Sequence, residues 1–151
     1  MRIVVQRIKS GSVKIDQKVV GSVGNGIFVL LGIKKGDNKL QTEILANKLM
    51  KLRVMADEEG KMNLSVKELK TSILLVSQFT LYANTQKGNR PSFVDAEEPK
   101  KARKLYLHFI DILKNSGLNV ETGRFGKYMN ISLELDGPVT IIIESNNNGV
   151  K

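Results

Sequence analysis

Ser77, Gln78, Phe79 and Thr80 stand where a buried strand should stay apolar. They follow Ser72-Ile73-Leu74-Leu75-Val76, a run greasy enough to lie inside a core. A hydroxyl and an amide in that setting must find partners or cost about 1–3 kcal/mol each, so their place at a strand end points to a site. Thr80 offers a hydroxyl nucleophile, which is weak until a base takes its proton. No N-terminal threonine, adjacent lysine or neighbouring histidine supplies that base. The other chemistry open to this stretch is main-chain: N–H groups at the strand end, held by Ser77 and Gln78, can stabilise a developing oxyanion. One such donor is worth roughly 10²–10³ in rate.

The remaining reactive groups are few. With no cysteine there is no thiol nucleophile, disulfide or thiolate zinc site. The single histidine, His108, falls in a helical stretch with no carboxylate or hydroxyl motif around it and reads as surface or packing. Asp57, Glu58 and Glu59 crowd one turn with no histidine beside them and read as solvated acids, so no metal and no cofactor are expected. Gly21-Ser22-Val23-Gly24-Asn25-Gly26 opens a strand rather than a helix, which disfavours a phosphate-cradling loop. Gly137-Pro138 separates two strand-like runs, Ile131–Leu135 and Val139–Ile143. As a hairpin turn it is ordinary, yet a proline there removes a donor and can mark a specialised turn.

Several elements must position these residues. Residues 2–8 alternate as a strand, 12–16 and 18–23 form a hairpin around Asp16-Gln17, and Gly26–Ile33 is a continuous apolar strand. Asp37 or Asn38 caps a helix running to about Leu52, with Leu40, Ile44, Leu45, Leu49 and Leu52 on one face. A hairpin follows at 53–64, then the strand at 72–79. Pro99 and Gly117 bracket a second helix whose face is Ala102, Leu105, Tyr106, Phe109, Ile112 and Leu113. Strands at 118–122, 130–135 and 139–145 finish the fold, and 146–151 reads as a flexible tail. Strands joined mostly by short turns predict a single α+β domain: an antiparallel, barrel-like β-sheet with two main helices.

At 151 residues the chain can bury about 70% of its unfolded surface without staples. The start, Met1-Arg2-Ile3-Val4-Val5, reads as a strand rather than a signal peptide. No run nears the ~18 apolar residues of a membrane span. A soluble, cytoplasmic protein is expected. A net charge of +9 favours polyanions such as nucleic acid. Aromatic residues make up only 5%, which argues against a base-stacking platform of the kind used to bind single strands.

Six segments together resemble the D-aminoacyl-tRNA deacylase family: Val4-Val5-Gln6-Arg7, Gly60–Ser65, Ser77-Gln78-Phe79-Thr80-Leu81, Lys87–Phe93, Val120–Gly123 and Asp136-Gly137-Pro138-Val139-Thr140. The resemblance covers residues 1–145. It implies a homodimer with active sites at the interface, acting on the 3′ end of aminoacylated tRNA. Gly137-Pro138, through a cis bond, would enter the partner's pocket, meet the substrate's amino group with main-chain carbonyls and leave no room for an L side chain. Glycyl-tRNA would then be accepted too. The resemblance further implies that Arg7 braces the Gly-Pro turn and that Ser77–Thr80 line the pocket. It sets Phe125 and Met129 near the terminal adenosine and Ala102 near the amino acid. Two other readings are a hydrolase using Thr80 as nucleophile and a basic RNA-binding barrel without enzymatic activity.

Overall fold

The computed structural model describes residues 1–146 and 149–150. In chain order the elements are β1 (Arg2–Ile15), β2 (Lys18–Val23), β3 (Gly26–Gly32), α1 (Lys39–Met50), β4 (Arg53–Ala56) and β5 (Met62–Ser65). Then come α2 (Val66–Leu69), β6 (Ser72–Ser77), a 3-10 turn (Phe79–Tyr82), α3 (Pro99–Asn115), β7 (Asn119–Thr122), β8 (Asn130–Asn146) and β9 (Gly149–Val150). The main sheet runs β7-β6-β3-β1-β8-β9, with β2 also on β1, while β4 and β5 form a separate hairpin.

The α+β class and the two long helices are as expected, with α2 as an extra single turn. The sheet itself is mixed rather than antiparallel. β3 pairs with β6 in parallel, and β6 with β7 in parallel. Parallel neighbours need a long crossover and are covered on both faces, so their sequences read as unbroken apolar runs. Gly26–Ile33 and Ile73–Val76 are such runs. In β6, Ile73 and Leu75 face the larger core beneath α1 and α3, while Leu74 and Val76 face a second core with Ile8, Val13, Val23 and Phe28. The sheet curls over this second cluster as a half-barrel.

Residues 9–11, between the strands read at 2–8 and 12–16, and the Gly137-Pro138 turn are not chain reversals. Ser10-Gly11 lies inside one bent strand: residues 2–8 of β1 pair with β3 and residues 11–15 pair with β2. Gly11 serves the bend, since a Cβ there would come within 2.9 Å of Leu133 and 3.0 Å of Leu74. The second is Gly137-Pro138. β8 continues through it for 17 residues, always beside β1. Gln6 pairs with Thr140 and Ile8 with Leu135, so Arg7 alone faces Asp136–Val139, which bulge out of the ladder. The Asp16-Gln17 hairpin forms as expected, both residues having positive φ (47° and 64°).

The helices follow their caps. Asn38 accepts from the Leu40 amide at 2.8 Å, and Gln41 accepts from the Asn38 amide at 3.1 Å, a capping box. Leu40 is solvent-exposed rather than on the buried face, which is Gln41, Thr42, Leu45, Ala46, Leu49 and Met50. Pro99 begins α3, whose buried side includes Ala102, Leu105, Tyr106, Phe109 and Leu113. In the tail, Gly149 and Val150 pair with Asn146 and Ser145. Asn147, Asn148 and Lys151 lie outside the described residues. Among the described residues no helix is long and apolar enough to cross a membrane.

Candidate active site

The strand β6 ends at Ser77, two residues earlier than its apolar pattern suggests, and the chain turns at once into the 3-10 segment. The Gln78 amide still bonds to the Leu31 carbonyl of β3 at 2.8 Å. The first turn bond is Leu81 N–H to the Gln78 carbonyl at 3.3 Å, so the N–H groups of Phe79 and Thr80 precede any acceptor within the turn. The turn is clamped from both ends. The Gln78 side-chain amide donates to Thr80 Oγ1. Arg2 donates to the Leu81 carbonyl at 2.7 Å, pairs with Glu144 at 3.2 Å and lies over the Tyr82 ring. Phe79 is 58% exposed and meets Phe93 edge-on at 5.0 Å.

Among the described residues no base is paired with Thr80; its Oγ1 accepts from the Gln78 side-chain amide. The only histidine is paired with Glu43 of α1 at 3.3 Å, across the face between the two long helices. Local motifs do not reveal that partner, because the two residues are 65 positions apart. Asp57 likewise has a structural role, accepting from the amides of Glu59 and Lys61 and from Asn63 Nδ2. These bonds, that to Asn63 first, hold its carboxyl below the usual range.

Met129 lies at the same strand end. Its sulfur sits against Gly123, where a Cβ would be 2.5 Å from it and 3.4 Å from Val76. The Gly123 amide bonds to the Leu75 carbonyl at 3.1 Å. Phe125 joins less directly: its ring is 5.7 Å from that of Tyr106, whose hydroxyl donates to the same Leu75 carbonyl. Burial pushes the Tyr106 phenol well above its ordinary pKa, so it stays a donor. Ala102 is a buried α3 core residue. Beside Phe125 a groove of about 600 Å³ runs between α3 and the β1–β2 hairpin, lined by Lys18, Arg103, Tyr106, Leu107, Arg124 and Lys127 among others.

Gly137-Pro138 is not part of this cluster. Its peptide is cis, and both residues are exposed. Arg7 holds the bulge at its base: Nε pairs with Asp136 Oδ2 at 2.8 Å and lies 3.3 Å from the Asp136 carbonyl, and Nη1 donates to the Val54 carbonyl at 3.1 Å. Three inter-strand steps separate β6 from β8, about 14 Å across the sheet. The bulge stands opposite Arg7, level with Ile27 and Ile73, whereas Ser77 is level with Leu31 and Ile3. That adds about 13 Å along the strands. Within one chain the two halves of the expected site therefore stand apart.

Residues that no sequence motif marks also shape the site. Gly32 is one: a Cβ there would lie 2.9 Å from Leu81 Cβ and 3.1 Å from the Gln78 carbonyl, so the turn packs directly on β3 backbone. Its signal in the sequence is a lone glycine inside Leu31-Gly32-Ile33. Gly32→Ala is expected to push the turn outward and lower kcat/KM at least tenfold while moving the urea midpoint little. A variant with full activity would show that the position of the turn is unimportant.

A family model for D-Tyr-tRNA(Tyr) deacylase matches residues 4–144. A D-aminoacyl-tRNA deacylase from Aquifex aeolicus (strain VF5) is 55% identical over 145 residues, 96% of this chain and 98% of that protein. Among solved structures, one described as a c-Myc DNA unwinding element binding protein is 39% identical with a TM-score of 0.91, covering 97% of this chain and 99% of that one. Another, described as a probable eukaryotic D-amino acid tRNA deacylase, shares the fold at 18% identity and a TM-score of 0.80, over 93% and 97% of the two chains. With the family match spanning nearly the whole chain and a relative at this identity, the chain belongs to the D-Tyr-tRNA(Tyr) deacylase family, hydrolases that act on an ester bond.

Proposed function

We propose that this chain hydrolyses the ester joining a D-amino acid, or glycine, to the terminal ribose of tRNA, and that its working unit is a cytoplasmic homodimer. The observation that carries the reading is the separation of Gly137-Pro138 from Ser77–Thr80 within one chain. A second copy can deliver its exposed bulge to the strand end of the first. An apolar surface supports such docking: Val4, Leu30 and Ile142 share one rung, with Ile142 65% exposed, and Phe79, Phe93 and Val94 are also exposed.

In this composite site the carbonyls of Gly137 and Pro138 accept hydrogen bonds from the substrate's α-ammonium group. Rigid main chain then occupies the volume an L side chain would need, while a D side chain points away and glycine has none. Water attacks the ester carbonyl carbon. The Phe79 and Thr80 amides stabilise the oxyanion, the ribose 2′-hydroxyl assists proton transfer, and the ribose oxygen leaves with a proton. The products are the free amino acid and tRNA.

Deacylation of matched D-Tyr-, L-Tyr- and Gly-tRNA tests the proposal. Cleavage of the D and glycyl esters with the L ester spared is expected; equal cleavage of D and L, or of none, would overturn it. Thr80→Ala is expected to keep kcat within about tenfold of the parent, since one hydroxyl is lost and both amides remain. Abolished turnover with normal tRNA binding would restore the side-chain nucleophile. The likeness to a DNA-element binding protein, with the +9 charge, favours one second reading, nucleic-acid binding without cleavage. Equal affinity for charged and uncharged tRNA with no ester loss would select it.

A further inference from the structure

The groove beside Phe125 takes no part in the chemistry above, and its lining is unusual. Lys18, Arg103, Arg124 and Lys127 border it against a single carboxylate, Asp16, a local balance of four positive charges to one negative. None of the four cations forms an ion pair among the described residues, although paired cations occur elsewhere in the chain at Arg2, Arg7, Lys61 and Lys101. Cations left unpaired along one channel cost self-repulsion, which a polyanion relieves. Between them the floor is apolar, from Tyr106, Leu107, Ile110 and Phe125. In the same turn as Arg124 and Lys127, Tyr128 is 87% exposed in a chain with few aromatic residues.

The groove is also continuous with the candidate site. Its Thr122-Gly123-Arg124 edge backs onto Met129 and Val76, and Tyr106 and Gly123 share the Leu75 carbonyl two residues before Ser77. A strand leaving the site on this side would meet the cation-lined groove next. Resting on the function proposed above, we infer that the groove holds the sugar–phosphate backbone of the single-stranded nucleotides that precede the terminal adenosine of the tRNA. Arg103 of α3 and Lys127 of the loop after β7 are the two phosphate-holding residues to vary. They act on the length of RNA engaged and not on the ester.

The test compares two substrates: D-tyrosyl-tRNA and the D-tyrosyl ester of adenosine, which carries the same ester with no phosphate. In the double variant Arg103→Glu/Lys127→Glu, kcat/KM on the tRNA is expected to fall on the order of a hundredfold at low salt. Turnover of the adenosine ester should stay within twofold of the parent. For uncharged tRNA, the slope of log affinity against log salt should flatten by about 1.4, the release expected for two single-strand phosphates. A control with the same charge change at Lys67 of α2 and at Lys70, the residue that follows it, Lys67→Glu/Lys70→Glu, separates the groove from the general field.

Equal losses on both substrates would overturn the inference in favour of a role in the site or the fold. A control variant that loses as much as the groove variant would overturn it in favour of net charge alone, and an unchanged tRNA rate in the groove variant would overturn it outright. If the parent cleaves neither ester, the proposed function fails first. The salt slope for uncharged tRNA then decides the groove by itself, a flattened slope supporting it and an unchanged slope rejecting it.

Discussion

Gly137→Ala is expected to cut the ratio of D- to L-Tyr-tRNA deacylation by at least about a hundredfold, about 2.7 kcal/mol of discrimination. Gly137 has φ = 134°, a conformation that an L residue adopts only with strain. The added Cβ would lie 2.7 Å from the Val139 amide nitrogen and 2.9 Å from Val139 Cγ2. Val139 cannot retreat freely, because Thr140 next to it is already back in the ladder opposite Gln6. Relief must come from moving the bulge itself, and in the proposed dimer the bulge is the wall that excludes L side chains. A wall of this kind acts through steep repulsion at van der Waals contact, so a shift of a fraction of an ångström is enough to open it. The check is kcat/KM on both esters, with a urea melt to show that the variant is folded. An unchanged D/L ratio in a folded variant would remove the bulge from chiral selection.

Arg7→Ala should combine a smaller loss of discrimination, about tenfold, with a clear loss of stability. The guanidinium is 12% exposed and holds three groups: the Asp136 carboxylate, the Asp136 carbonyl and the Val54 carbonyl. Truncation strands the acceptors on both sides and releases the base of the bulge from the β4–β5 hairpin. With Asp136 about one-third exposed, water softens the penalty, and a cost of about 1–3 kcal/mol is reasonable. Arg7→Lys should fail to rescue, since one ammonium cannot reproduce a planar fork that spans two segments. The measurements are the urea midpoint and the D/L ratio for both variants. A lysine variant equal to the parent in both would reduce Arg7 to a simple positive charge.

These two variants separate roles that share one bulge. Gly137→Ala changes the wall's shape with little cost to the ladder on either side. Arg7→Ala leaves the shape allowed but removes its anchor. If discrimination depends on rigidity as well as shape, both must lower it, and only Arg7→Ala must lower stability by more than the strain of one residue.

Much of the fold is legible from local rules. The polar interruption at Ser77–Thr80, the Asn38 cap, the Asp16-Gln17 hairpin and the α3 face each depend on a few neighbouring residues, and the chain obeys them. The departures share a cause. Gly11 and Gly137-Pro138 look like breaks in the sequence because glycine and proline interrupt alternation, whether the chain reverses or only bulges. An antiparallel sheet is the wrong expectation for β3 and β6 because strand direction is set by the crossover and not by the strand's own residues.

The amino-acid sequence by itself determined which residues could do chemistry here, because the shortage of histidine, the absence of cysteine and the polar strand end are matters of composition and order. It also carried six short segments whose spacing resembles one family. Only the tertiary structure decided how those residues are distributed. Strand register sets Gly137-Pro138 about 14 Å across and about 13 Å along the sheet from Ser77. Register is a property of paired strands and not of either one alone. The same holds for Arg7 with Asp136, His108 with Glu43 and Gly32 beneath Leu81. Each joins segments far apart in the chain, and folding alone brings them within a few ångströms.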